Sequence, residues 1–164
     1  MTEIHFEDHP EFTPNVTPLD MFQMGVFGGT YWRPIKSSVL GKNLKDQHLE
    51  FPDIAALPAN RLTSTNCNPS INYYSVRAGS SLEDWESKGW IKEQDPYGWV
   101  QWYCRFYYGR RSGDDDRQID RWVRYAGSKG RWRKNLERQI REKGSDGASK
   151  VVRQGLLQWA YIAN

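Results

Sequence analysis

Hydrophobic and polar positions follow two regimes along this chain, and they meet near residue 80. Across residues 1–70 no period is sustained, because Pro, Asn, Thr and Gly interrupt each short apolar run. That texture predicts loops with short extended pieces. INYYSVRA, residues 71–78, concentrates β-favouring side chains and predicts a strand. From residue 81 onward, apolar positions recur every three or four residues, the helical period. Ser81 followed by Asp84 predicts an N-cap opening LEDWESKGW, with Gly89 ending that helix. Asp95-Pro96 predicts a second start, with Asp as cap and Pro in the first turn, and Gly109 closes it. Asp114, Asp115 and Asp116 set negative charge at the start of a third helix running to Gly127. A fourth is expected at about 131–143 and a last at about 150–162, with GSDGAS between them as a linker.

The densest apolar stretch is DPYGWVQWYCRFYYGRR, residues 95–111, with seven aromatic side chains. On a helical wheel Trp99, Trp102, Tyr103, Phe106 and Tyr107 form one stripe and are assigned to the core. Tyr97, Gln101, Arg105 and Tyr108 share the other face. That row fits either a planar ligand stacked on Tyr97 and Tyr108 or a polar network buried against the N-terminal region. The next two helices repeat the division. Ile119, Trp122, Val123 and Ala126 face inward, with Arg117, Arg121 and Arg124 behind them. Trp132, Leu136 and Ile140 face inward, backed by Arg131, Lys134, Arg138 and Arg141.

These patterns predict a mostly α fold of α+β type. A C-terminal bundle of four to five helices would carry an irregular N-terminal layer with a short β-sheet. Residues 1–164 are expected to form a single domain, with 71–164 holding a short strand and the helical core. Residues 1–70 would wrap that core, since they hold too little periodic apolar surface to fold alone. No apolar run approaches the roughly 20 residues that cross a bilayer, so no membrane partner is expected. The polar, acidic N-terminus does not read as a secretory leader. Cys67 and Cys104 have no metal-ligand spacing, which points to a reducing, cytoplasmic or nuclear compartment.

Charge changes the picture more than composition does. Net charge is only +3, yet residues 1–60 carry four Lys/Arg against eight Asp/Glu, and residues 105–143 carry thirteen against six. The excess in the C-terminal half calls for an anionic partner. The candidate anion-binding residues are Arg105, Arg110, Arg111, Arg117, Arg121, Arg124, Lys129, Arg131, Lys134 and Arg138. Lys129 lies in Gly127-Ser128-Lys129-Gly130, a glycine-bounded turn opening a helix, which offers backbone N–H groups to a phosphate. The same turn also reads as a plain helix–helix connection. Gly28, Gly29, Tyr31 and Arg33 are expected to form one wall of the site, because a small-residue turn lets a ligand approach the backbone.

Catalytic signals are sparse. His5, His9 and His48 lie in polar segments, and no zincin, phosphate-loop, serine-elbow or dinucleotide motif occurs. No catalytic residue is assigned, and no cofactor or metal is expected. Asp114–Asp116 read as a helix-start acidic cap before they read as a cation site. Cys104 reads as a packed side chain before it reads as a reactive thiol. The favoured function is binding of nucleic acid, DNA or RNA, through arginine and lysine rows and exposed aromatics, with processing of that nucleic acid left open. A small enzyme acting on a phosphorylated or planar anionic substrate and a protein-interaction module are the alternatives.

Overall fold

Among residues 1–163, which the computed structural model describes, seven α-helices carry the architecture. They are α1 (Pro18–Met24), α2 (Pro52–Ala55), α3 (Leu82–Ser87), α4 (Trp99–Tyr107), α5 (Asp115–Ala126), α6 (Arg131–Lys143) and α7 (Lys150–Leu157). Strands β1 (Ile35–Ser37) and β2 (Lys42–Leu44) pair antiparallel, with Ile35 opposite Leu44. The fold is mostly α with a small β component. No helix among the described residues is long and apolar enough to cross a membrane.

The aromatic stripe of α4 is the centre of the core. Trp102, Tyr103 and Phe106 are fully buried, Trp99 is buried and Tyr107 half-buried. Phe12, from the N-terminal segment, closes over the stripe. Its ring centroid lies 5.6 Å from those of Trp102, Tyr103 and Phe106, and 5.2 Å from that of Trp122 on α5. The indole N–H groups of α4 are satisfied on α5: Trp99 donates to Gln118 O at 3.1 Å and Trp102 to Asp115 Oδ1 at 2.8 Å. Helix α5 packs on α6 and α6 on α7. The chain's two end regions meet. Asn15 and Val16 N–H donate to Ala160 O at 3.0 and 3.2 Å, and the Asn15 side chain bonds both polar backbone atoms of Ile162.

Three expectations are corrected. Residues 71–78 are not a strand. Asn72 side-chain atoms take up Gly28 N–H at 2.7 Å and Val76 O at 2.8 Å, Gln154 takes Tyr74 N–H, and Ser75 turns left-handed at φ 59°. These bonds use the backbone groups a strand ladder would need. Asp95 does not cap α4. Gly98, at φ 99°, separates it from a helix that begins at Trp99. The Asp95 side chain turns inward and binds arginines instead. Helix α7 ends at Leu157, not near 162. Tyr161 N–H reaches back to Leu156 O at 3.1 Å, and Ala160 adopts φ 58°, a left-handed helix stop.

Phe12 and Phe106 share one packed centre, so truncating either leaves a cavity. Phe12→Ala and Phe106→Ala should each lower stability by about 3–5 kcal/mol. Chemical denaturation checks this, and an unchanged midpoint for both would refute the packing centre.

Candidate functional site

Helix α5 turns Arg117, Arg121 and Arg124 away from its buried Ile119, Trp122 and Ala126 face. Those arginines form one wall of a cleft of about 910 Å³. The turn from α5 to α6 adds Lys129 and Arg131. The opposite wall comes from the segment around α3, with Trp85, Lys88 and Trp90. Trp99, Tyr125 and Trp159 line it as well, and Phe27 and Tyr31 reach it from the N-terminal half. The α5–α6 turn is tight because its glycines allow it. A Cβ on Gly127 would stand 2.6 Å from Val123 O, and one on Gly130 would stand 2.5 Å from Tyr125 O. Helix α6 has no side-chain cap at its start.

The cations of the cleft divide by partner. Arg117 grips Asp114 through two nitrogens at 2.6 and 2.9 Å and reaches Trp90 O at 3.3 Å. Arg124 pairs with Asp120 one turn earlier on α5. Arg131 lies 4.8 Å over the Tyr125 ring and Lys88 4.8 Å over Trp90. Arg121 stands between two indoles, 5.3 Å from the Trp90 centroid and 5.3 Å from that of Trp159. Its hydrogen bond goes to the neutral amide oxygen of Gln118 at 2.7 Å, and it forms no ion pair among the described residues. Burial, with the Arg117 charge beside it, pushes the Arg121 guanidinium down to about 10, so it remains charged at neutral pH. The cleft lining among the described residues holds six Lys/Arg and no Asp, Glu or His.

Other sequence-predicted residues lie elsewhere. Arg105 and Arg110 converge on the buried Asp95 carboxylate at 3.0 and 2.7 Å, and Arg105 also holds Glu50 at 2.7 Å. Burial acts to lower the Arg105 guanidinium, but the Glu50 and Asp95 carboxylates outweigh it and hold it above its usual value. Arg111 pairs with Asp8 at 2.7 Å and lies 3.7 Å over Phe106. Lys134 and Arg138 are exposed on α6 outside the cleft, with Arg138 bonded to Asn135 at 3.0 Å.

Tyr97 is corrected as a stacking residue. Its ring is buried, its hydroxyl donates to Arg33 O at 2.6 Å, and burial pushes that hydroxyl up to about 12. Of the two readings of its helix face, the buried polar network holds for Tyr97, Gln101 and Arg105. Gln101 accepts from Tyr97 N–H at 2.9 Å, and its amide meets Gln47 at 3.2 Å. Tyr108 is exposed, but it stacks on Phe51 at 5.8 Å beside a separate hollow lined by Glu50 and Asp53.

Gly28 and Gly29 are corrected as ligand-facing wall residues, because they face the chain itself. A Cβ on Gly28 would stand 2.2 Å from Cys67 Sγ, and one on Gly29 would stand 2.0 Å from Asn60 O. Tyr31 lines the cleft by its ring while its hydroxyl is used internally, donating to Tyr97 O at 2.7 Å and accepting from Gln101 N–H at 2.9 Å. Arg33 lines an adjoining groove.

The three acids at the start of α5 diverge. Asp114 holds Arg117, Asp115 is buried against Trp102 and Ser112, and Asp116 is exposed. No group of three or more His, Cys, Asp or Glu among the described residues could hold a metal ion. Cys104 is buried, and burial raises its thiol well above the usual range, so it is a packed side chain. Sequence reasoning missed Trp85, Lys88, Trp90, Tyr125 and Trp159 as cleft residues. The signal available was two tryptophans and a lysine around one glycine in DWESKGW, a spacing that fits no single helix face. Comparison with known protein families, curated proteins and solved structures found no match.

Arg121 forms no ion pair among the described residues, so no buried carboxylate depends on its charge. Arg121→Met keeps an unbranched chain between Trp90 and Trp159 and removes the charge. Its folded stability should stay within about 1 kcal/mol of wild type or rise. A thermal melt checks this, and a fall of several degrees would make Arg121 structural.

Proposed function

We propose that this protein binds nucleic acid in the arginine–tryptophan cleft. One observation carries the reading: Arg121 is half-buried between two indoles, with a neutral amide as its hydrogen-bond acceptor. A desolvated guanidinium gains most from an anion that completes its hydrogen bonds, and its planar fork matches phosphate oxygens. Lys129 and Arg131 at the rim supply further phosphate contacts. The indoles of Trp85 and Trp90 supply surfaces on which bases stack, while Trp159 is stacked on Tyr125 and backs Arg121. Bases held in a duplex cannot reach those faces, so the cleft favours unpaired strands.

A second reading has one observation in its favour. A volume of about 910 Å³ falls within the range of sites that enclose a whole small ligand. A phosphorylated or planar anionic molecule would meet the same arginines and indoles. The lining among the described residues offers no histidine or carboxylate to move a proton, which weights that alternative toward binding and away from turnover.

Fluorescence anisotropy with single- and double-stranded DNA and RNA of one sequence, from low to physiological salt, tests the proposal. Single strands should bind more tightly than the duplex, and affinity should fall steeply with salt. Lys129→Ala should reduce the log–log salt slope by about 0.7 for a lost single-strand phosphate contact. Trp90→Ala should cost about 1–3 kcal/mol of stacking. Binding weaker than roughly 100 μM for every oligonucleotide at low salt would overturn the proposal.

A further inference from the structure

Phe27 holds a left-handed backbone conformation, φ 58°, that bulky side chains rarely adopt. The conformation is imposed by its surroundings. Gly28 N–H donates to Asn72 Oδ1 at 2.7 Å, Gly28 O accepts from Asn68 N–H at 3.0 Å, and Gly29 N–H closes on Val26 O at 3.2 Å. Residues held this way concentrate at ligand-contacting sites. Here the strained turn presents the Phe27 ring 4.8 Å from Tyr31 and 6.3 Å from Trp85, at the edge of the arginine cleft.

Beyond that edge lies a second groove of about 400 Å³. Five residues line both spaces: Phe27, Tyr31, Gly79, Ser80 and Trp85. The second groove brings in Arg33 and Arg77, and no carboxylate lines it among the described residues. Arg77 is exposed, and Arg33 spends one donor on Thr30 O at 3.2 Å. Neither forms an ion pair among the described residues. The cleft alone is near the upper end of the volume that one small ligand fills, roughly 1,000 Å³. The two volumes together exceed it, each is lined by cations without an ion pair among the described residues, and the rings of Phe27, Tyr31 and Trp85 line both. A chain of alternating flat and anionic units matches that layout.

We infer that the two grooves form one continuous track for a single-stranded nucleic acid. Phe27 and Trp85 form the step between its halves, and Arg33 and Arg77 take phosphates at the far end. This inference rests on the nucleic-acid reading of the cleft and extends it to a ligand longer than one nucleotide.

The test uses the full chain with fluorescein-labelled oligothymidylates and oligouridylates of dinucleotide, tetranucleotide and decanucleotide length. Wild type should bind the decanucleotide roughly ten-fold or more tightly than the dinucleotide. Arg77→Ala and Arg33→Ala should remove most of that gain and lower the decanucleotide salt slope by about 0.7 each. Both variants should leave dinucleotide affinity at the wild-type level, whereas Lys129→Ala should weaken every length. Thermal melts establish that each variant is folded, and Arg77→Ala, at an exposed position, serves if Arg33→Ala is not. Decanucleotide binding that Arg77→Ala leaves unchanged would overturn the track while the cleft reading stands. Absence of binding at every length would overturn the cleft reading itself.

Discussion

One buried carboxylate holds the centre of this molecule to a wall of the arginine cleft. Asp95 has a side chain only 1% exposed, yet it receives Arg105, near the end of α4, and Arg110, just beyond it. A carboxylate this deep is tolerable only when cations and donors complete it. The consequence reaches past the ion pairs. Asp95 is the anchored end of the segment that runs back through Trp90 and Lys88, and Trp90 O is gripped in turn by Arg117. One wall of the cleft is therefore suspended between an ion-pair node and an arginine of the opposite wall.

The charge asymmetry of the sequence resolves into two populations. Part of the acidic N-terminal half is consumed within the fold, where Glu50 meets Arg105 and Asp8 meets Arg111. These contacts neutralise the cations at and after the end of α4. The arginines and lysine of α5 and the α5–α6 turn receive fewer carboxylates. Asp114 and Asp120 offset Arg117 and Arg124, and Arg121, Lys129 and Arg131 form no ion pair among the described residues. A total of +3 thus conceals a strongly positive recess.

Regular helices were legible because their signals are local. Helix α6 spans Arg131–Lys143 as its period and flanking glycines imply, and Ser81 caps α3 through Asp84 N–H as its spacing implies. The α5 arginine stripe was legible for the same reason, and with it half of the candidate site. The remainder depends on contacts between residues far apart in the chain. Residues 71–78 lose their strand to bonds reaching Gly28 and Gln154. Tyr97 and Trp90 are both aromatic residues near glycines. Nothing local distinguishes the one buried under Arg33 from the one facing the arginines. Helix periodicity could not place Trp159 either, because it lies beyond the end of α7 in a stop formed by Ala160.

That stop has a bearing on when the site comes into being. Trp159 O accepts from Trp122, and the next residue, Ala160, is held by Asn15 and Val16, more than 140 positions earlier in the sequence. Synthesis delivers residue 15 well before residue 159. The α5 arginines would leave the ribosome after Trp85 and Trp90 but before Trp159, so Arg121 would face one indole and not two until the segment around Trp159 docks. Completion of the cleft is therefore coupled to this segment, so a chain stopped short of residue 159 would leave Arg121 against Trp90 alone.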